Sequence, residues 1–163
     1  MKASRNIQGF SLIELLLVVA IIGIIAAIAI PNLMGARRAA HEGSAQSSMR
    51  TLHSAEATYQ STSGQGNFGS LAELDAARMI DGVLGTGTKS GYTFVVTETD
   101  FVVNVSPATF KATSIPTYPS GPSQSGTRKF GITQTGVMHV QMDALTVHMT
   151  DAELALTTNI VGG

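Results

Sequence analysis

A single carboxylate stands inside a long apolar run near the start of the chain. Residues 10–30 extend from Phe10 to Ile30, and only Ser11 and Glu14 among them are strongly polar. An acidic side chain costs about 2.5–3.5 kcal/mol at the centre of a membrane span and less near its end. Glu14 therefore either reaches the lipid headgroups or meets a positive partner in the same apolar layer. No Lys or Arg lies within the run to supply that partner.

A new amino terminus would supply the missing positive charge. Cleavage between Gly9 and Phe10 would create an α-ammonium at the edge of the apolar run, close in sequence to Glu14. The ammonium of a neighbouring copy could then compensate Glu14, and every copy would serve the next one. Because head-to-tail pairing of this kind does not close on itself, it generates a helical filament.

Other residues of suitable types do not form a recognised catalytic or binding motif. Residues 82–90 resemble a phosphate-binding loop, but Thr88 separates Gly87 from Lys89 where that motif needs adjacent residues. Several candidate metal ligands lie near the end of the chain without recognised ligand spacing: His139, His148, Asp143, Asp151 and Glu153. We find no Ser–His or paired-carboxylate arrangement, so we predict no enzyme activity, no cofactor and no metal site.

The amino-acid composition excludes some of the remaining classes of function and favours others. The 163 residues contain 10 Lys and Arg against 11 Asp and Glu, which argues against direct binding of nucleic acid through its phosphates. Only 13% of the residues are charged, against roughly a quarter in typical soluble domains, which favours a membrane-linked chain. The absence of Cys excludes disulfides and Cys-based metal sites.

The element that must position Glu14 is a helix that spans a membrane. At about 1.5 Å per residue the apolar run is roughly 30 Å long, which matches the hydrocarbon core of a bilayer. A cleaved secretory signal has a shorter apolar run of about 7–15 residues. We predict a leader at 1–9 that stays in the cytoplasm and a span at 10–31. Gly23 and Pro31 are weak points where we expect a kink.

An amphipathic helix over 32–62 and an antiparallel head over 63–163 complete the predicted α+β fold. One helix face carries apolar residues at three- and four-residue steps: Ala45, Met49, Leu52, Ala55 or Glu56, and Tyr59. We place the charged residues largely on the other faces: Arg37, Arg38, Glu42 and Arg50. Capping-box spacing predicts helices after Ser70 and after Thr150. In the head we predict a linker over 81–87, a hairpin of 91–97 with 101–105, a strand at 109–115, and a second hairpin of 128–133 with 137–142.

The N-terminal motif resembles the processing site of type IV prepilins and of type II secretion pseudopilins. The shared pattern is a short basic leader with Lys2 and Arg5, then Gly9-Phe10-Ser11-Leu12-Ile13-Glu14-Leu15, then an apolar run that ends at Pro31. The Gly91-Tyr92 start of a strand and the later Phe130-Gly131-Ile132 are also similar to pilin heads of this group.

The resemblance implies a route of maturation and assembly. A prepilin peptidase would cleave after Gly9 and N-methylate Phe10. The mature subunit would wait in the inner membrane until an assembly ATPase and a platform protein extract it into a helical surface filament that serves adhesion, twitching motility or DNA uptake. Phe10 and Glu14 would act in subunit assembly, and the segment from Gly23 to Pro31 would permit local unwinding in the filament.

Two alternatives remain open from the sequence. A type II secretion pseudopilin would form a short periplasmic filament, but major pseudopilins usually carry an acidic calcium-binding loop near the C-terminus, for which we find no convincing equivalent. A membrane-anchored enzyme would retain residues 1–9 and need a catalytic constellation. The missing Cys also removes the C-terminal disulfide loop of many pilins.

Overall fold

The computed structural model describes residues 9–143 and 145–156. The chain divides into two compact units, Met1–Ala36 and Arg37–Gly163. The elements in chain order are α1 Leu12–Ser61, α2 Leu71–Ala76, α3 Gly82–Gly85, β1 Thr88–Lys89, β2 Tyr92–Thr99, β3 Thr109–Pro116, β4 Lys129–Thr133, β5 Met138–Gln141 and α4 Asp151–Leu154. The fold is α+β, as predicted: a long N-terminal helix and a small antiparallel sheet.

Helix α1 continues without interruption through Gly23 and Pro31. An 18-residue apolar window near its start makes it long and apolar enough to cross a membrane, and none of that window is buried. In the first unit the large apolar side chains, from Phe10 to Leu33, are exposed. The kink that the sequence predicts at Gly23 and Pro31 stays a prediction.

The five strands form one antiparallel meander in the order β1-β2-β3-β4-β5. The register is shown by one row of residues across the sheet. Phe94 of β2 pairs with Ser114 of β3, Ser114 pairs with Phe130 of β4, and Phe130 pairs with Val140 of β5. Every strand therefore lies beside its neighbour in sequence, so short connections suffice.

The hydrophobic core of the second unit lies between the later part of α1 and one face of the sheet. The apolar face predicted for α1 is the buried one, and Met49 and Leu52 are fully enclosed. The head contributes aromatic and aliphatic side chains to the same cluster: Phe68, Leu74, Leu84, Tyr92, Phe94, Phe110, Phe130 and Ile132. At about 25 cal/mol per Å² of apolar area, burial of these side chains is the main force that holds sheet and helix together.

The predicted hairpin of 91–97 with 101–105 is wrong. Strand β2 extends to Thr99, and its partner is β3, whose first residue Thr109 pairs with Thr99. Residues 101–106 form a tight loop closed by a bridge between Val102 and Ser106, with Asn104 in the left-handed region at φ 59°. The observed pairing wins because it buries Phe110 and Ala112, whereas the three valines of the loop remain exposed.

The other local predictions agree with the structure except at the 81–87 linker. There Asp81 caps a single helical turn, α3, by accepting a hydrogen bond from the Leu84 N–H, and β1 then adds a short edge strand. Both capping boxes are present, at Ser70–Glu73 before α2 and at Thr150–Glu153 before α4. Strands β3, β4 and β5 lie where the sequence predicts them, within one or two residues.

Candidate functional site

The peptide bond between Gly9 and Phe10 lies just outside regular secondary structure. Helix α1 begins at Leu12, so Gly9, Phe10 and Ser11 precede its first turn. Phe10 is 85% exposed, and a Cβ added at Gly9 would meet no atom within 4 Å. Gly9 and Phe10 are therefore accessible without unfolding of the helix. The rest of the predicted leader, residues 1–8, lies outside the described residues.

Glu14 occupies the first turn of α1. The Ser11 carbonyl accepts hydrogen bonds from the N–H groups of Glu14 and Leu15, at 3.1 and 3.2 Å. The Glu14 carboxylate in turn accepts a weak hydrogen bond from the Ser11 N–H at 3.5 Å. A negative charge at this place is favoured by the positive end of the helix dipole. The structure thus puts Glu14 one turn from the residue that cleavage would turn into the new amino terminus.

The surroundings of Glu14 are apolar and exposed. Its neighbours Leu12, Ile13 and Leu15 are 75, 74 and 61% exposed. Among residues 9–143 and 145–156, no ion pair involves Glu14. An exposed apolar surface of this extent marks a contact with lipid or with another chain, because isolated soluble proteins rarely leave one uncovered.

A second glutamate, Glu42, ties the head to α1. Its Oε1 accepts hydrogen bonds from the Thr127 N–H and hydroxyl at 2.7 and 2.9 Å. Its Oε2 accepts from Arg128 Nε at 2.7 Å and pairs with Nη2 at 2.6 Å. Burial alone would raise the pKa of Glu42, but the bonds from Thr127 and Arg128 outweigh burial and lower it. A fully paired carboxylate therefore fixes the start of β4 against the helix.

The prediction that Glu42 lies largely off the buried helix face is wrong, since only 4% of this residue is exposed. Its position fits the buried spacing, because 42, 45, 49, 52 and 56 follow one another in steps of three and four residues. This spacing is the sequence signal from which the burial of Glu42 could have been predicted. The partner that makes burial of the charge tolerable, Arg128, lies 86 residues away and could not be read from the local pattern.

Glu56 is the third carboxyl group of interest, and it is fully buried. Its Oε2 accepts a hydrogen bond from the Gly69 N–H at 2.9 Å, while its Oε1 has no partner within the part of the chain that the structure describes. Burial raises the pKa of Glu56 to about 7; the bond from Gly69 opposes this, and the nearby Glu98 and Glu73 carboxylates add to it. The sequence prediction left open whether Ala55 or Glu56 continues the helix face, and both are buried.

Four of the remaining sequence candidates, Lys89, His148, Asp151 and Glu153, take part in structural contacts, whereas the buried His139 has a ring nitrogen without a partner among the described residues. Lys89 of the phosphate-loop-like segment pairs with Asp81 at 2.7 Å, next to the cap of α3. His148 shares a hydrogen bond with the Thr113 hydroxyl, and the carboxylates of Asp151 and Glu153 pair with Lys111 and Lys129. Across residues 9–143 and 145–156, no three His, Cys, Asp or Glu side chains come close enough together to hold a metal ion.

Comparison with known proteins gives a family-model match at the N-terminus and matches to individual proteins. A family model described as the prokaryotic N-terminal methylation motif matches residues 4–30. The chain is 60% identical over 38 residues to the type IV wide pilus major component PilA4 of Thermus thermophilus, which covers 23% of this chain and 29% of that protein. It is 46% identical over 55 residues to the type IV major pilin protein PilA of Myxococcus xanthus, covering 34% of this chain and 24% of that protein.

A further relative comes from a secretion system. The chain is 37% identical over 60 residues to the type II secretion system core protein G of Escherichia coli, covering 37% of this chain and 41% of that protein. The matches thus span less than half the length of each of these relatives. No solved structure matches the chain. The chain carries the N-terminal methylation motif of prepilins, and it is homologous to type IV pilins and to the type II secretion core protein G.

Proposed function

We propose that this chain is the structural subunit of a type IV pilus, cleaved after Gly9, N-methylated on Phe10 and polymerised into a helical surface filament. The observation that carries the proposal is the order of three features at the start of the chain. An exposed Gly9–Phe10 junction precedes a helix, the first turn of that helix holds Glu14, and an exposed apolar surface follows.

Processing is supported by the freedom of the junction. Within the described residues nothing requires glycine at position 9, since a Cβ added there would meet no atom within 4 Å. A requirement for glycine would then come from a narrow binding site in the prepilin peptidase. The product has Phe10 as its first residue and presents an ammonium group two residues before α1 begins.

Assembly is supported by the finding that Glu14 forms no ion pair within the described residues. In a filament the Phe10 ammonium of one copy pairs with Glu14 of the next, and the exposed helix surface is covered by the helices of other copies. Pairing inside an apolar core is strong because the effective dielectric constant there is low. Before assembly the same surface is covered by the inner membrane, with the N-terminus in the cytoplasm, and a platform protein and an ATPase drive extraction.

A pseudopilin of a type II secretion system is the second candidate, and the match to core protein G is the observation that favours it. We prefer the pilus because the two pilin relatives share higher identity, 60 and 46% against 37%, although over shorter stretches. Fractionation separates the two proposals. A pilin is recovered in filaments sheared from the cell surface, whereas a pseudopilin stays in the periplasm.

Substitution of Glu14 tests the assembly step. We expect Glu14→Ala and Glu14→Gln to be processed normally but to lower the yield of sheared filaments at least about tenfold, because either change leaves the incoming ammonium unpaired in an apolar layer. Gln keeps the size of the side chain and an oxygen that can accept from the Ser11 N–H. Normal filament yield from Glu14→Gln would show that helix capping, and not charge, is what Glu14 provides.

A further inference from the structure

An open recess of about 480 Å³ at the end of the head distant from Arg37 is acidic. Among the described residues, its lining contains no Lys or Arg but includes three carboxylates and two aromatic rings, those of Glu73, Glu98, Asp100, Tyr59 and Phe68. Glu98 is near the end of β2 and Asp100 follows that strand, and both are exposed. We call this feature the acidic recess. Three like charges without a base form a surface that attracts a cation.

Glu56 does not line the acidic recess, but it lies close enough to two of its carboxylates, Glu73 and Glu98, to be repelled by them. It is wholly buried, its Oε1 has no partner among the described residues, and Glu73 and Glu98 both disfavour its ionised form. Its Oε2 is held by the N–H of Gly69, which is in contact range of the Tyr59 ring. A positive group in the acidic recess would relieve the repulsion among all four carboxyl groups.

The spread of these carboxylates favours an arginine side chain over a metal ion. No three acidic or His side chains in residues 9–143 and 145–156 converge closely enough to bind one ion. A guanidinium group has five donors in a plane, so it can contact separated carboxylates and also stack on an aromatic ring such as Tyr59.

The chain offers such arginines near the middle of the same helix, where the second unit begins. Arg37 is exposed and takes part in no ion pair within the described part of the chain; Arg38 donates from Nη1 to Gln124 Oε1 at 2.8 Å. The bases that do form ion pairs are four others: Lys89, Lys111, Arg128 and Lys129. We call Arg37 and Arg38 the arginine pair.

One copy cannot bring its own arginine pair to its own acidic recess. Both lie on or beside α1, and the 21 residue steps from Arg38 to Tyr59 span about 30 Å of helix at 1.5 Å per residue. We propose that the acidic recess binds the arginine pair of a second copy of this chain, displaced along the helix axis by about that length. This inference rests on the proposed function, since it describes a second contact between subunits of the filament.

A pair of cysteines tests the contact directly, because the chain has no Cys of its own. We expect filaments of the double variant Arg37→Cys with Asp100→Cys to give a ladder of disulfide-linked copies after mild oxidation. The control is Arg78→Cys with Asp143→Cys, two exposed positions outside the acidic recess and the arginine pair. We expect it to give no disulfide-linked copies. Filaments of the test variant that yield no ladder would overturn the inference.

Charge exchange provides a second test with a different readout. Arg37→Asp or Asp100→Arg alone should lower filament yield about tenfold, and the two together should restore it, because the exchange rebuilds the pair with reversed sign. The matched exchange of Arg78→Asp with Asp143→Arg should leave yield within about twofold of the unchanged chain. Single changes without effect would contradict the contact.

Two outcomes separate this inference from the proposed function. If the unchanged chain forms no filaments, the proposed function fails. If it forms filaments, but the cysteine pair gives no ladder and the charge exchange gives no recovery, only the acidic recess is assigned wrongly. Filaments that fall apart in a chelator and recover with Ca²⁺, without a cysteine ladder, would assign the acidic recess to a metal ion and overturn the arginine contact.

Discussion

Glu42 and Glu56 are buried on the same face of α1, yet they affect stability in opposite ways. Glu42 has hydrogen bonds to both of its oxygens and an arginine partner, so its folded environment favours the charged form. Glu56 has a bond to one oxygen only and no ion pair among the described residues, so its environment favours the neutral form. The difference follows from the partners that the head supplies, and not from the helix itself.

The raised pKa of Glu56 predicts that it destabilises the fold at neutral and higher pH. The group has a pKa near 4.5 when unfolded and about 7 when folded, so between these values the folded state binds more protons than the unfolded state. The contribution of Glu56 to the free energy of unfolding is fully present below about pH 4.5 and is lost as pH rises through about 7. The total loss is on the order of 3 kcal/mol. Glu42 and Glu153, whose pKa values are lowered, act in the opposite direction.

The substitution Glu56→Gln isolates this effect, because both proteins share every other titrating group. We expect the variant to have the larger free energy of unfolding at about pH 8 and expect its advantage to shrink as pH falls toward about 4.5. The measurement is denaturant unfolding of the full chain in detergent across that pH range. A difference between the two proteins that does not change with pH would contradict the assignment.

At the scale of elements, α4 is attached to the sheet by an ion pair of a buried lysine and by apolar side chains that pack on β4. Lys129 of β4 is 1% exposed, and its Nζ donates to Glu153 Oε1 at 2.9 Å. Glu153 also accepts from the Thr150 N–H, which together with Lys129 lowers the pKa of Glu153 to about 2. The side chains of Leu154 and Met149 occupy the space above Gly131, where any Cβ would overlap them.

Removal of the Glu153 carboxylate should detach α4. We expect Glu153→Ala to lower the free energy of unfolding by about 3 kcal/mol, because it leaves the Lys129 ammonium buried without its partner and removes the capping box. Asp151→Ala, in the same helix, breaks an exposed pair with Lys111 and should cost less than about 1 kcal/mol. Denaturant unfolding and hydrogen exchange of residues 145–156 measure both effects, and equal losses would contradict this account.

Elements whose signals are local could be predicted from the sequence, and those that depend on distant partners could not. Ser70–Glu73 and Thr150–Glu153 each hold both halves of a capping box within four residues. The run 101–105 looked like a strand, but which segment pairs with β2 is decided by the core that Phe110 completes. The burial of Glu42 depended on Arg128, and the burial of Lys129 on Glu153, at separations of 86 and 24 residues.

At the scale of the whole molecule, the two units differ in how their apolar side chains are shielded from water. The second unit, Arg37–Gly163, has a core of its own, built from α1 and the sheet. In the first unit, Met1–Ala36, the large apolar side chains from Phe10 to Leu33 are exposed, so lipid or other copies are needed to cover them. The sequence alone suggests the candidate site because Gly9, Phe10 and Glu14 lie within six consecutive residues, and the roles of these residues stay predictions.

The mass of the first peptide from subunits in sheared surface filaments tests the central claim most directly. Our account predicts a chain that begins at Phe10 and carries one methyl group on its amino nitrogen. It also predicts that Gly9→Val abolishes both the cut and the filaments, because a bulky residue blocks the peptidase. Filament subunits that retain Met1, or normal filaments from Gly9→Val, would contradict the account.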